Sequence, residues 1–132
     1  MPYSVEWLVE QRILVSRYYG EITLEDARGQ ITQANALLRT GIPLVHSIVD
    51  MTGVTNNPSI QMVKELRLID MSGIRDKMGW TIILTNNTLL KFASSLFVPI
   101  LQLRQRFFAD MDEALAFLQD EDPTLPPLLS AK

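Results

Sequence analysis

The sequence predicts an α/β fold, with a mixed, mostly parallel sheet of about five strands, an N-terminal β-hairpin and about four helices, in the order ββαβαβαβα. Three observations carry that expectation. Two apolar runs, Leu44–Met51 and Gly79–Thr85, read as strands buried on both faces, and each is followed by a polar turn and then a segment of helical spacing. Two short β-rich runs near the start are separated only by Glu10-Gln11-Arg12, which is hairpin spacing. The chain has 132 residues, 47% of them hydrophobic, enough for a proper core. Strands alternating with helices then predict parallel pairing with right-handed crossovers.

Taken in order, residues 4–9 alternate, with Val5, Trp7 and Val9 on one face and Ser4, Glu6 and Leu8 on the other. Residues 12–19 form the second strand, which Gly20 stops. Thr23 is the N-cap of the first helix, and Asp26 completes a capping box. Leu24, Ala27, Ile31, Ala34 and Leu38 form its apolar stripe, with Arg28, Gln30 and Gln33 expected to face water. Gly41 and Pro43 follow its end. The strand at 44–51 feeds a helix over 58–71, opened by Asn57 and Pro58.

That second helix has apolar residues on two sides. Met62, Val63, Leu66 and Ile69 make one face, while Ile60, Leu68 and Met71 lie roughly opposite. One buried side needs only the first set. The second calls for another cover: a partner subunit, the loop 74–78, or a ligand cavity.

A strand over 79–85 leads to a helix over 88–97. The stretch 101–107 alternates as a half-exposed strand whose arginines suit a protected edge. Asp110 caps the last helix, with Glu113 at the capping-box position. Residues 1–120 read as one domain and 121–132 as a Pro-rich tail.

Composition excludes several function classes. The net charge is −3, from 12 basic and 15 acidic residues without a basic run, so nothing marks a nucleic-acid or anionic-lipid surface. Without cysteine there is no disulfide framework, thiol catalysis or thiolate-bound metal. Met1–Trp7 lacks the basic and apolar regions of a signal peptide. The most apolar stretch, 89–103, contains Lys91 and Pro99 and falls short of the ~20 residues that span a bilayer. The expectation is a cytoplasmic protein that is not transmembrane.

No reaction is specified either. His46 is the lone histidine, set within a strand, and reads as a packed or hydrogen-bonded residue. No carboxylates are spaced to make a metal site with it. No nucleophile elbow, Walker loop or dinucleotide fingerprint occurs. Catalytic residues, metals and cofactors are therefore expected to be none, and the protein is expected not to be an enzyme. Asp50, near the expected end of a buried strand, is the best single acid; its ordinary role is bonding to the following turn. Thr55-Asn56-Asn57 and Thr85-Asn86-Asn87 are two matching loops after central strands and before helices. Such loops lie where ligands bind parallel sheets, and helix N-termini there favour anions. Asp50, Thr55, Asn56, Asn57, Ser59, Asn86 and Asn87 are thus the candidate polar site. Ile60, Met62, Leu68, Met71, Met78 and Phe92 are the candidates for an interface or an apolar ligand, and Leu89 and Phe97 could join them.

Three strings carry a family resemblance: Ile13–Thr23, Ile48-Val49-Asp50-Met51-Thr52-Gly53-Val54, and Phe107–Leu118. Their order and spacing resemble the STAS superfamily, in particular its sporulation-protein-AA-like (SpoIIAA-like) group, which shares its general fold with lipid-binding CRAL-TRIO domains. The likeness covers about residues 12–119. It implies a non-enzymatic regulatory or protein-interaction module acting through the loop 52–59 and the helix 58–71, with a protein partner or a second copy (a homodimer). The alternative is a small carrier or sensor of an apolar, lipid-like ligand held between sheet and helices. Anti-sigma antagonists carry a phosphorylated Asp-Ser-Ser/Thr-Gly motif after this strand. This chain has Thr55-Asn56-Asn57-Pro58-Ser59 instead, which leaves Ser59 and Thr55 as candidate phosphorylation sites. A phosphate on Ser59, in the first helical turn, would meet the positive end of the helix dipole.

Overall fold

Each strand of the sheet alternates between two helix-bearing faces, and the computed structural model describes this arrangement for residues 3–55, 74–86 and 104–128. The strands are β1 (Tyr3–Val9), β2 (Ile13–Gly20), β3 (Val45–Val54), β4 (Met78–Leu84) and β5 (Arg104–Phe108). They lie side by side in chain order, with β1 antiparallel to β2 and every other neighbouring pair parallel. Two α-helices are described, α1 (Leu24–Leu38) and α2 (Met111–Glu121), rather than four. The helices expected over 58–71 and 88–97 lie outside the described residues.

The hairpin turns at Gln11, whose φ of 62° is the left-handed conformation of a tight turn, and the Arg12 N–H donates to Val9 O at 2.9 Å. Gly20, at φ 70°, ends β2 where a side chain would be strained. The capping box of α1 forms in both directions: Thr23 Oγ1 accepts from the Asp26 N–H at 3.1 Å, and Asp26 Oδ2 accepts from the Thr23 N–H at 3.0 Å. Asp110 caps α2 by accepting from the Glu113 N–H.

Helix α1 packs over β1 and β2, and the core on its side contains Leu14, Ala34, Leu38, Val45, Ile74 and Met78. Helix α2 covers β4 and β5 from the other side, over Ile13, Val15, Ile48, Ile82 and Leu84, with Ala114, Leu115 and Leu118 from the helix itself. Consecutive residues of β2 thus enter opposite cores, as the period of a strand requires.

Two expectations change. Gln30 does not face water; it is buried, accepts from the Tyr18 hydroxyl at 2.5 Å and donates through Nε2 to Ser16 Oγ at 2.9 Å. The sheet beneath α1 presents a hydroxyl on two successive positions of one face, and a glutamine can bond both. Burial first, then the nearby Tyr3 and Asp26, pushes the Tyr18 hydroxyl well above its usual range, so it is the donor here. Strand β3 runs to Val54 instead of stopping near Met51. Its pairing with β2 steps from Arg17–Asp50 to Tyr19–Gly53, a bulge with an extra residue on β3, and the strand continues beyond it.

Tyr18→Phe should leave Gln30 Oε1 buried without its donor and lower stability by about 1–3 kcal/mol, read from the urea midpoint. Gln33→Ala, at an exposed position of the same helix, should stay within about 0.5 kcal/mol of the parent.

Candidate functional site

The one histidine sits at the start of β3 and joins four elements. Opposite it, β4 carries an extra residue: the pairing steps from Val45–Met78 to Ser47–Thr81, so Gly79 and Trp80 both face His46. The Trp80 N–H donates to His46 Nδ1 at 3.0 Å. Because Nδ1 accepts, the ring proton is on Nε2, which donates to Asp122 Oδ2 at 2.8 Å. Gly79 makes room for the ring. A Cβ there would fall 2.4 Å from His46 Cε1 and 2.5 Å from Nδ1.

Asp122 follows α2 and is held from several sides. Arg12, at the end of the hairpin turn, places one guanidinium nitrogen 2.9 Å from Asp122 Oδ2 and 2.9 Å from Thr124 Oγ1. Arg12 Nε donates to Leu44 O at 3.3 Å. The Thr124 N–H donates to Asp122 Oδ1 at 3.0 Å, and the Thr124 hydroxyl donates to the same oxygen. Residues 122–128, part of the expected irregular tail, have no regular structure, yet Leu125 enters the core beside α2.

This cluster has the members of an acid–base dyad but not its chemistry. Neither imidazole nitrogen has a lone pair or proton free for a substrate, since Nδ1 accepts a backbone N–H and Nε2–H is given to a carboxylate. Burial lowers the His46 pKa below its ordinary 6.5; the Asp122 bond and charge pull it up, Arg12 and Arg104 push it down, and the net shift is downward. Burial alone would raise the Asp122 carboxyl. The Thr124 hydroxyl, His46, the Thr124 N–H and the Arg12 charge outweigh it and hold the carboxyl at about 2. The ion pair lies at the amino ends of the parallel strands, opposite the carboxyl ends where such sheets bind ligands.

At the carboxyl ends, Asp50 lies within β3, paired to Leu84 of β4. Its Oδ1 accepts from the Thr52 N–H at 3.0 Å and from the Thr52 hydroxyl at 2.6 Å. Its Oδ2 is 3.9 Å from Arg17 Nε, and Arg17 also pairs with Glu6 at 3.1 Å. Thr52, Gly53, Thr55 and Asn86 are exposed, and the Thr55 N–H donates to Gly20 O at 3.0 Å. Asp50, Thr55 and Asn86 therefore share one end of the sheet. Asn56, Asn57, Ser59 and Asn87 lie outside the described residues, as do Ile60, Met62, Leu68, Met71, Leu89, Phe92 and Phe97. Met78 is 6% exposed and packs with Leu14, Leu38 and Val45. Among the described residues, no three histidine or carboxylate groups gather as a metal site, and no helix is long and apolar enough to cross a membrane.

Sequence reasoning missed Arg12, Gly79, Asp122 and Thr124. Two signals were present. A glycine inside a strand marks a bulge or a close approach of another group, and Asp122-Pro123-Thr124 has the composition of a side-chain-closed turn. Neither signal names its long-range partner.

No family model matches the chain, and no curated protein does. Among solved structures, the chain is similar to an uncharacterized protein of the DUF3478 family with a SpoIIAA-like fold from Shewanella loihica PV-4. The TM-score is 0.61 at 19% identity, covering 88% of this chain and 91% of that one. The fold of this chain is therefore SpoIIAA-like, an α/β fold with a mixed five-stranded sheet.

Gly79→Ala should force the imidazole away from the Trp80 N–H and cost about 1–3 kcal/mol in a urea unfolding series. Stability should also fall in two stages on acidification. His46 has a lowered folded pKa, so its contribution is complete above 6.5 and is lost as pH falls below that value. Asp122 contributes fully above 3.8, and its share disappears between 3.8 and about 2. Urea midpoints across pH should show both stages, and His46→Gln should remove the upper one.

Proposed function

We propose that the protein is a non-enzymatic STAS-like regulatory or interaction module of the cytoplasm, acting through the loop 52–59 and the helix expected over 58–71. One observation carries this reading. The only imidazole of the chain is saturated internally at the amino ends of the strands, while exposed Thr52, Gly53 and Thr55 lie at the carboxyl ends. Asp50, the best acid at that end, is engaged by its own neighbour Thr52. What that end offers is surface for recognition: Asp50 is held by the Thr52 N–H and hydroxyl and lies 3.9 Å from Arg17. The SpoIIAA-like fold of the Shewanella loihica protein supports the general class. The occupant we favour is a second copy of this chain, seated on Ile60, Leu68 and Met71. Thr55 and Ser59 are the hydroxyls through which phosphorylation would regulate it.

A second reading, a small carrier or sensor of an apolar ligand between sheet and helices, is favoured by one feature: two polar side-chain atoms, on β4 and β5, are buried without partners.

Native mass spectrometry and sedimentation test the first reading. The expected result is a homodimer, and Leu68→Asp should make it monomeric with an unchanged circular-dichroism spectrum. A parent protein that is monomeric at all concentrations would overturn self-association.

A further inference from the structure

One row of the sheet is polar where its neighbours are apolar. The pairings Leu14–Ser47, Ser47–Thr81 and Thr81–Gln105 set Ser47, Thr81 and Gln105 side by side across β3, β4 and β5. Leu14 belongs to the core on the α1 side, so the row faces that side. At about 4.8 Å per strand, the row spans roughly 10 Å. The next row on one side is Val49, Ile83 and Phe107, and on the other side stand Val45 and Met78. Thr81 Oγ1 and Gln105 Oε1 are shielded from solvent and have no hydrogen-bond partner. Such atoms are rare in native proteins and call for an explanation.

We infer that this row binds the uncharged hydroxyl of an otherwise apolar molecule, whose body lies along the row of Val49, Ile83 and Phe107. The inference rests on the carrier reading and names its ligand class. Gln105 Oε1 can only accept, whereas the Thr81 hydroxyl can donate and accept. A ligand hydroxyl satisfies both at once, donating to Gln105 Oε1 and accepting from Thr81 Oγ1. A carboxylate would set acceptor against acceptor at Gln105. An ammonium would be buried without a counter-charge, since the described residues of β3, β4 and β5 on this side are uncharged. Arg106 belongs to the other face, 5.6 Å from the Trp80 ring and 5.5 Å from the Phe117 ring.

The test uses the full chain with 1-octanol, octanoate and the apolar dye Nile red at neutral pH, on the parent and on Thr81→Val. The parent should bind 1-octanol at least about tenfold more tightly than octanoate. Thr81→Val, which keeps the shape and removes the hydroxyl, should weaken octanol by roughly fivefold to tenfold. Without ligand, the variant should melt no lower than the parent. Equal octanol affinity in the two proteins, or a lower melting temperature for the variant, would overturn the inference; the latter would mean that the hydroxyl holds a structural water or a protein partner. Nile red bound equally by both proteins, with no displacement by octanol, would sink the hydroxyl site and leave the carrier reading standing. Failure of both Nile red and octanol to bind would end both.

Discussion

A neutral imidazole bonded on both nitrogens is the constraint on which the lower half of this sheet depends. His46 ties β3 to β4 through the Trp80 N–H and to the end of α2 through Asp122, and Asp122 in turn holds Arg12 at the hairpin. Elements more than 100 residues apart in sequence thereby meet at one point. The ring can do this only in one tautomer and only uncharged, because protonation at Nδ1 would turn a donor toward the Trp80 N–H.

The two bulges in the central strands follow a common logic. An extra residue in a ladder leaves a backbone N–H without its usual acceptor, and a nearby side chain can supply one. At Gly79–Trp80 the acceptor is His46 Nδ1, and at Met51–Thr52 it is the Asp50 carboxylate. The imidazole of His46 and the carboxylate of Asp50 thus each serve a backbone N–H at an irregular pairing. This is also why a structural role suits each better than a catalytic one.

How far the chain could be read from its sequence followed the range of the interactions involved. Local signals were legible: the Thr23–Asp26 capping box, the Asp110 cap, the three-residue hairpin link and the second strand ending at Gly20 all appear at their expected places. The parallel sheet followed from strand and helix order, since that pattern leaves few topologies. Non-local chemistry was not legible. Gln30 reads as a solvent residue until Tyr18 and Ser16 are placed beneath it, and Asp122 reads as a tail residue until His46 is placed beside it. Of the candidate polar loop, Asp50, Thr55 and Asn86 share one end of the sheet, and Asp50 bonds to the residues just after it, the role expected of it, although β3 runs on past it to Val54.

The saturation of His46 also gives the molecule an internal gauge. Reagents that carbethoxylate imidazole need an exposed ring nitrogen with a free lone pair, and the folded chain, with a single histidine that is 1% exposed, offers none. Modification must then proceed through opened molecules, and its rate counts how often the joint between β3, β4 and α2 comes apart. A chain with several histidines would report an average over its surface. Here one imidazole reports one structural event, without any introduced label.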